Sequence, residues 1–134
     1  MKTFALSLVF WIALSAQQTQ QAVMQIALPA TVVLPNINAV NTQAGAAYTL
    51  QASDNNGLLV FTSGSPVTLS VPAGLGPGFF VTILQAGAGV VTPMAGAGVA
   101  IHQRLQLTKT AGQFAPVFLM SYAPDSFALD GDLQ

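Results

Sequence analysis

The sequence predicts a mainly β protein, an antiparallel β-sandwich or jelly roll preceded by an extended N-terminal arm. Three observations predict it. From Tyr48 onwards the chain is a series of short runs rich in β-formers, separated by Gly, Pro, Asn and Ser. Val67-Thr68-Leu69-Ser70-Val71 alternates apolar with polar, the period of a half-buried strand. Outside the N-terminal region, no long stretch carries the 3.6-residue apolar period of a helix.

The elements follow in order. Residues 1–47 form an arm and linker, and residues 48–134 the β-domain. Within the arm, Phe4, Leu6, Leu8, Phe10 and Ile12 alternate along a β-rich run that includes Trp11. Such a stripe can be buried against a neighbouring subunit, which makes Phe4, Leu6, Leu8, Phe10 and Trp11 the candidate anchor residues. The same stretch has the grammar of a cleaved secretory signal: Lys2, an apolar core from Phe4 to Leu14, and small residues at Ala13, Ser15 and Ala16. It is too short for a confident membrane span, which needs about 20 apolar residues. From Ser15 to Leu28 the chain is rich in Gln, and Val23, Ile26 and Ala27 share one helical face. A short amphipathic helix and a polar extended linker both fit. Two prolines, several Asn and a Gly then lead irregularly into the domain.

The β-domain reads as strands at Tyr48–Ala52, Leu58–Thr62, Val67–Val71, Phe79–Gln85, Leu105–Thr108, Val117–Ala123 and Phe127–Leu129. Asp54-Asn55-Asn56-Gly57 and Ser63-Gly64-Ser65-Pro66 are turns, and Pro72 to Gly78 is a loop. Phe79–Gln85 and Val117–Ala123 are apolar on both faces, as in central strands or subunit contacts. The repeat Ala86-Gly87-Ala88-Gly89-Val90-Val91, returning as Ala95-Gly96-Ala97-Gly98-Val99-Ala100, lacks the lysine of a phosphate loop. Thr92 and Pro93 interrupt it too early for a membrane-packing face. Glycine alternating with alanine in a β-context marks tight bends or the close approach of another backbone. Gly89–Thr92 and Gly98–His102 are then two short strands about a bend at Thr92-Pro93-Met94.

Charge narrows the functions further. Only 5% of the 134 residues are charged, with three Lys and Arg against four Asp and no Glu; ordinary domains carry about 25%. A surface so poor in charge is either covered by Gln, Ser, Thr and Asn or buried in an assembly. Clustered Lys and Arg, the footprint of nucleic-acid binding, are missing. Without Cys there are neither disulfides nor thiolate metal sites. His102 is the lone imidazole, with Arg104 two residues on; no nucleophile-elbow pattern supplies a serine for it. Asp125, Asp130 and Asp132 are not spaced as a calcium loop and read as solvated turn carboxylates. No catalytic, cofactor-binding or metal-ligating residue is expected, and the protein is expected not to be an enzyme.

The ordered series Tyr48-Thr49-Leu50, Val67-Thr68-Leu69-Ser70-Val71-Pro72, Pro77-Gly78-Phe79, Gln85 to Val91, Gly96 to Ile101, Leu105-Gln106-Leu107 and Gly131-Asp132-Leu133 resembles a known domain. It is similar to the small β-sandwich of tailed-bacteriophage virion proteins, including head fibres, capsid decoration proteins and tail-fibre modules. The similarity spans about residues 48 to 133. Phe127 stands where that family often has Trp, and residues before 48 match nothing in it. The resemblance implies a virion structural protein, commonly a homotrimer, at the capsid surface and without catalytic residues. Its partners would be the major capsid protein or other virion proteins, with neither nucleic acid nor membrane. A host-surface glycan is a further candidate, although no residue cluster in the sequence singles one out. A tail-fibre or tail-adaptor component is an alternative, as is a secreted bacterial binding module with a cleaved leader.

Overall fold

The computed structural model describes residues 39–134, and these are mainly β. The candidate anchors Phe4, Leu6, Leu8, Phe10 and Trp11 lie outside the described residues, as does the stretch with the helical face. Among the described residues there are nine strands: β1 (Val40–Gln43), β2 (Ala47–Thr49), β3 (Gly57–Phe61), β4 (Val67–Val71), β5 (Phe80–Gln85), β6 (Val91–Ala95), β7 (Ala100–His102), β8 (Pro116–Ala123) and β9 (Ser126–Gly131). The sheet thus begins before residue 48, at Val40.

The pairing is not that of an antiparallel sandwich or jelly roll. Odd strands β1, β3 and β5 pair in parallel, and even strands β2, β4 and β6 pair in parallel in a second sheet. The chain therefore passes alternately between two sheets and climbs by one strand at each circuit, a solenoid-like arrangement of three coils. Val40 lies opposite Leu58 and Leu58 opposite Thr82, so successive coils advance by 18 and 24 residues. Only at the C-terminal end does the pairing turn antiparallel. There β8 joins β5, β9 joins β8, and β7 closes the edge parallel to β9, giving a large sheet in the order β1-β3-β5-β8-β9-β7. Alternation reveals that a segment is a strand but not which way its neighbour runs, which is why the sandwich expectation fails.

What converts a hairpin-like turn into a corner is visible at Thr62 to Pro66. Ser63 Oγ donates to the Ser65 carbonyl at 2.9 Å and accepts from Ser65 N at 3.1 Å, bending the chain out of one sheet and into the other. The next coil's corner lies directly on this one. Ala86 N and Gly87 N both donate to the Phe61 carbonyl, at 2.8 and 2.9 Å, and Gly89 N donates to the Ser63 carbonyl at 2.9 Å. The approach leaves no room for side chains. A Cβ on Gly87 would sit 2.2 Å from the Ser63 oxygen, and one on Gly89 1.9 Å from the Ser65 oxygen. Close backbone approach, read from the Ala-Gly repeat, is what the repeat provides.

Two local expectations change. Thr92-Pro93-Met94 is not a bend but the middle of β6, where Pro93 lies opposite Leu69. Proline is tolerated there because β6 is an edge strand of the three-stranded sheet. Leu105–Thr108 is not a strand. The Gln103 side-chain oxygen accepts from Leu105 N at 2.6 Å and from Leu107 N at 2.9 Å, curling this segment into a loop.

The inward residues of both sheets form one core, in which Phe61, Leu69, Ile83, Val117, Leu119 and Phe127 are fully buried. Gln85 and Thr110 are the most deeply buried of the polar residues that join it, the others being Asp54, Ser63 and Ser121. Thr110 Oγ1 donates to Gln85 Oε1 and accepts from Val91 N at 2.9 Å, while Gln85 Nε2 donates to the Gly87 carbonyl at 3.1 Å. Every member is satisfied, so the network pins the long segment after β7 to the third coil at no desolvation penalty.

The corner stacking has a direct consequence for stability. Gly89→Ala forces a methyl into a backbone carbonyl and is expected to cost about 3 kcal/mol or more. Gly64→Ala, on the same corners but with open space around it, is expected to stay within about 0.5 kcal/mol of wild type. Urea unfolding of the two variants checks this; equal midpoints would contradict the stacking.

Candidate functional site

The outward positions of the two sheets differ in chemistry. On the small sheet they are Ala47, Thr49, Thr68, Ser70, Thr92 and Met94, mostly polar, with Met94 53% exposed at the β6 edge. On the large sheet the alternation of β8 turns Val117, Leu119 and Ser121 inward and presents Phe118, Met120 and Tyr122 to solvent. Register then assembles a largely apolar surface around Thr82, which lies between Leu58 and Phe118. Phe80 lies opposite Met120, Leu84 opposite Pro116, and Val60 opposite Leu84. The Phe80 and Phe118 rings stack with centroids 6.2 Å apart and planes 16° from parallel. Val40 continues the face at the β1 edge, opposite Leu58. Phe118, Met120 and Tyr122 are 36, 43 and 58% exposed, and Val40 64%. No charged residue interrupts β1, β3, β5 or β8. The sequence signal for this surface is that the β5 and β8 runs are apolar on both faces.

Chemistry-bearing side chains gather instead at the β9–β7 margin of the large sheet. His102, at the end of β7, packs its ring against Tyr122 at 6.1 Å between centroids. Beyond it the chain curls through Arg104 and Gln106, and a groove of about 990 Å³ opens between this loop, the end of β9 and the end of β6. Arg104 and Asp130 both line it, with Ile101, Leu107 and Met120 as apolar wall. His102 and Arg104, two residues apart in sequence, line the same groove, and Asp130 joins them. Asp125 lies elsewhere, in the β8–β9 turn, and accepts from Gly74 N at 2.8 Å. The serines of the core are engaged with backbone: Ser63 Oγ donates to the Ser65 carbonyl and Ser121 Oγ to the Ala123 carbonyl. Among the described residues no group of three His, Cys, Asp or Glu side chains is placed to hold a metal ion. Among them, too, no helix is long and apolar enough to cross a membrane.

A third polar cluster closes the first coil. Asp54, 5% exposed, accepts from Tyr48 Oη at 3.0 Å, Asn41 Nδ2 at 3.0 Å and Gln51 N at 2.8 Å. Gln43 Nε2 donates to Asn41 Oδ1 at 2.7 Å. Burial and then the neighbouring Asp54 carboxylate raise the Tyr48 pKa above its ordinary value. Nothing in the sequence marks this cluster, because Asn41, Tyr48 and Asp54 sit on different elements.

Comparison with known proteins finds no family model that matches the chain, and no match among curated proteins or solved structures. Function must therefore be argued from the surfaces themselves.

The Tyr48 shift sets an alkaline limit. Because the folded state holds the phenol proton more tightly than the unfolded chain, Tyr48 contributes stability that is full below a pH of about 10. That contribution is lost as pH rises through the elevated folded value. Tyr48→Phe is expected to cost about 1 kcal/mol at neutral pH, through the lost hydrogen bond to Asp54. It is also expected to flatten the fall of the melting temperature above pH 10. Melting curves for both proteins between pH 7 and 11 check the sign.

Proposed function

We propose that the protein is a structural subunit that self-associates through the outer face of its large sheet and, through its N-terminal arm, attaches to a virion. The observation that carries the self-association is the contrast between the two outer faces. One is mostly Thr and Ser, with Ala47 and Met94 at its edges; the other runs from Val40 through Val60, Phe80 and Phe118 to Tyr122 without a charge on those strands. Contiguous exposed apolar surface of this kind marks an interaction site, and an uncharged face raises no repulsion between copies. Burying large side chains there contributes about 1.5–3 kcal/mol each before ordering costs.

The placement on a virion rests on the ordered series of residues 48 to 133 and on the chain's poverty in charge. In this reading the protein is a capsid decoration, cement or head-fibre protein, a homotrimer bound to the major capsid protein. The arm residues Phe4, Leu6, Leu8, Phe10 and Trp11 bury their stripe in the neighbour. The mechanism is mechanical: adjacent capsid subunits are tied together while the β-body faces outward.

Two experiments separate the parts. Phe118→Asp in the full chain places a carboxylate at the centre of the apolar face, where the fold has room for it. It is expected to weaken self-association at least about 100-fold, leaving a folded monomer. Light scattering with circular dichroism reads both, and an oligomer unchanged by the substitution would sink the face as interface. Deleting residues 1–28 is expected to abolish binding to purified particles while the β-body stays folded; a truncated protein that still decorates particles would refute the arm as anchor.

A further inference from the structure

The groove at the β7 end carries an inference separate from assembly, because of the strands that form the apolar face it borders only on β8, through Met120. It exists because two strands differ in length. β7 pairs with β9 only through Ala100–His102 opposite Ser126–Ala128, whereas β9 runs on to Gly131. The chain leaves the sheet at Gln103 and returns at Thr108, whose N–H donates to the Gln134 carbonyl at 3.2 Å. The enclosed volume falls at the upper end of small-molecule sites, which run from about 300 to 1,000 Å³.

The far wall is pre-built. Gln103 Oε1 bridges Leu105 N and Leu107 N, and Gln106 N donates to the Gln103 carbonyl at 3.3 Å. This holds Gln106 at a φ of +60°, a left-handed conformation that side chains other than Gly, Asn and Asp seldom adopt. Arg104 and Gln106 therefore stand on a turn whose shape is set before any ligand arrives, which lowers the ordering cost of binding.

We propose that this groove binds a neutral saccharide. Its polar rim combines a guanidinium (Arg104), a carboxylate (Asp130), a carboxamide (Gln106) and an imidazole (His102). Planar donors and acceptors of this kind pair with vicinal hydroxyls two at a time. One cation faces one anion, so the rim favours neither a phosphate nor a cation. Ile101, Leu107 and Met120 supply an apolar wall for the C–H face of a sugar ring. Two of the chain's seven charged side chains converge here, on a surface that otherwise carries little charge to orient a polar ligand.

The test is an amide chemical-shift titration of the ¹⁵N-labelled full chain with cellobiose, maltose, lactose and diacetylchitobiose, each to about 10 mM. The expected result is saturable shifts confined to residues 101–108 and 128–130 with at least one of the four. Arg104→Ala and Asp130→Asn should each weaken that response by about tenfold, whereas Thr49→Ala, on the small sheet, should leave it unchanged. No response to any of the four, shifts mapping elsewhere, or binding indifferent to both groove substitutions would overturn the proposal. A stronger response to an uncharged extended heptapeptide would also overturn it, assigning the groove to strand addition along the free edge of β9.

Discussion

Everything in this fold depends on how closely one coil can lie on the next at the corners. Strands 4.8 Å apart stack without difficulty along a sheet, but a corner bends the backbone and brings carbonyls round to face the layer above. Gly87 and Gly89 meet the Ser63 and Ser65 carbonyls where a methyl would not fit. Because they fit, Ala86, Gly87 and Gly89 hydrogen-bond to the carbonyls of Phe61 and Ser63 through the bend. That fixes the register of β5 on β3 and of β6 on β4. In a strand, register decides which side chains face inward, and a slip of one residue would exchange the core for the surface. The apolar outer face is therefore set by two glycines that contribute nothing to it directly.

The sequence discloses this only in part, and the division is physical. Strand positions are legible because the period of two is a local property, as at Val67–Val71, which begins and ends where the alternation does. The need for close approach at Gly87 and Gly89 is legible because glycine has few other uses in such a setting. Pairing direction is not legible, since it depends on whether Ser63 to Pro66 turns back within a sheet or across to another. Both outcomes begin with the same residues. Leu105–Thr108 has the alternation of a strand, but the Gln103 side chain takes two of its backbone donors and a loop results. The groove follows from that loop and from β7 stopping before β9 does, neither of which has a local sequence mark. Of the outer face, half could be read: β5 and β8 are apolar on both sides, while Leu58 and Val60 gain meaning only once β3 is known to lie beside β5.

The two ends of the coil stack show how so small a parallel array can be stable. Solenoid repeats cannot bury their faces alone, and the terminal ones must present something other than open core. At the C-terminal end, β8 and β9 reverse direction and cover the third coil, with Val117, Leu119, Phe127 and Leu129 filling the interior. At the other end the inward positions of β1 change character. Asn41 and Gln43 occupy the column in which Leu59 and Phe61 follow in the next coil. Buried polar side chains would be costly there if left unpaired. Instead Asn41, Gln43, Tyr48 and Asp54 bond to one another and to Gln51 N, so the first coil ends the apolar column with a satisfied polar layer.

Composition alone cannot tell two kinds of exposed surface apart. A chain with 5% charged residues could be apolar wherever it meets water, or apolar only where it meets another molecule. The described residues fall between the two. The outside of the small sheet is mostly Thr and Ser, with Ala47 and Met94, and the inside of the first coil carries Asn, Gln, Tyr and Asp. The β9–β7 margin holds Arg104 and Asp130. Of the large apolar side chains that remain exposed, Val40, Phe118, Met120 and Tyr122 share one face of the large sheet, while Met94, Leu105 and Phe114 lie singly elsewhere. Scattered apolar side chains need no explanation in a folded protein, but the grouping of four on a single face does. In the proposed assembly, burial of that face against a further copy, with the small sheet left to solvent, would account for the grouping and for the low charge together.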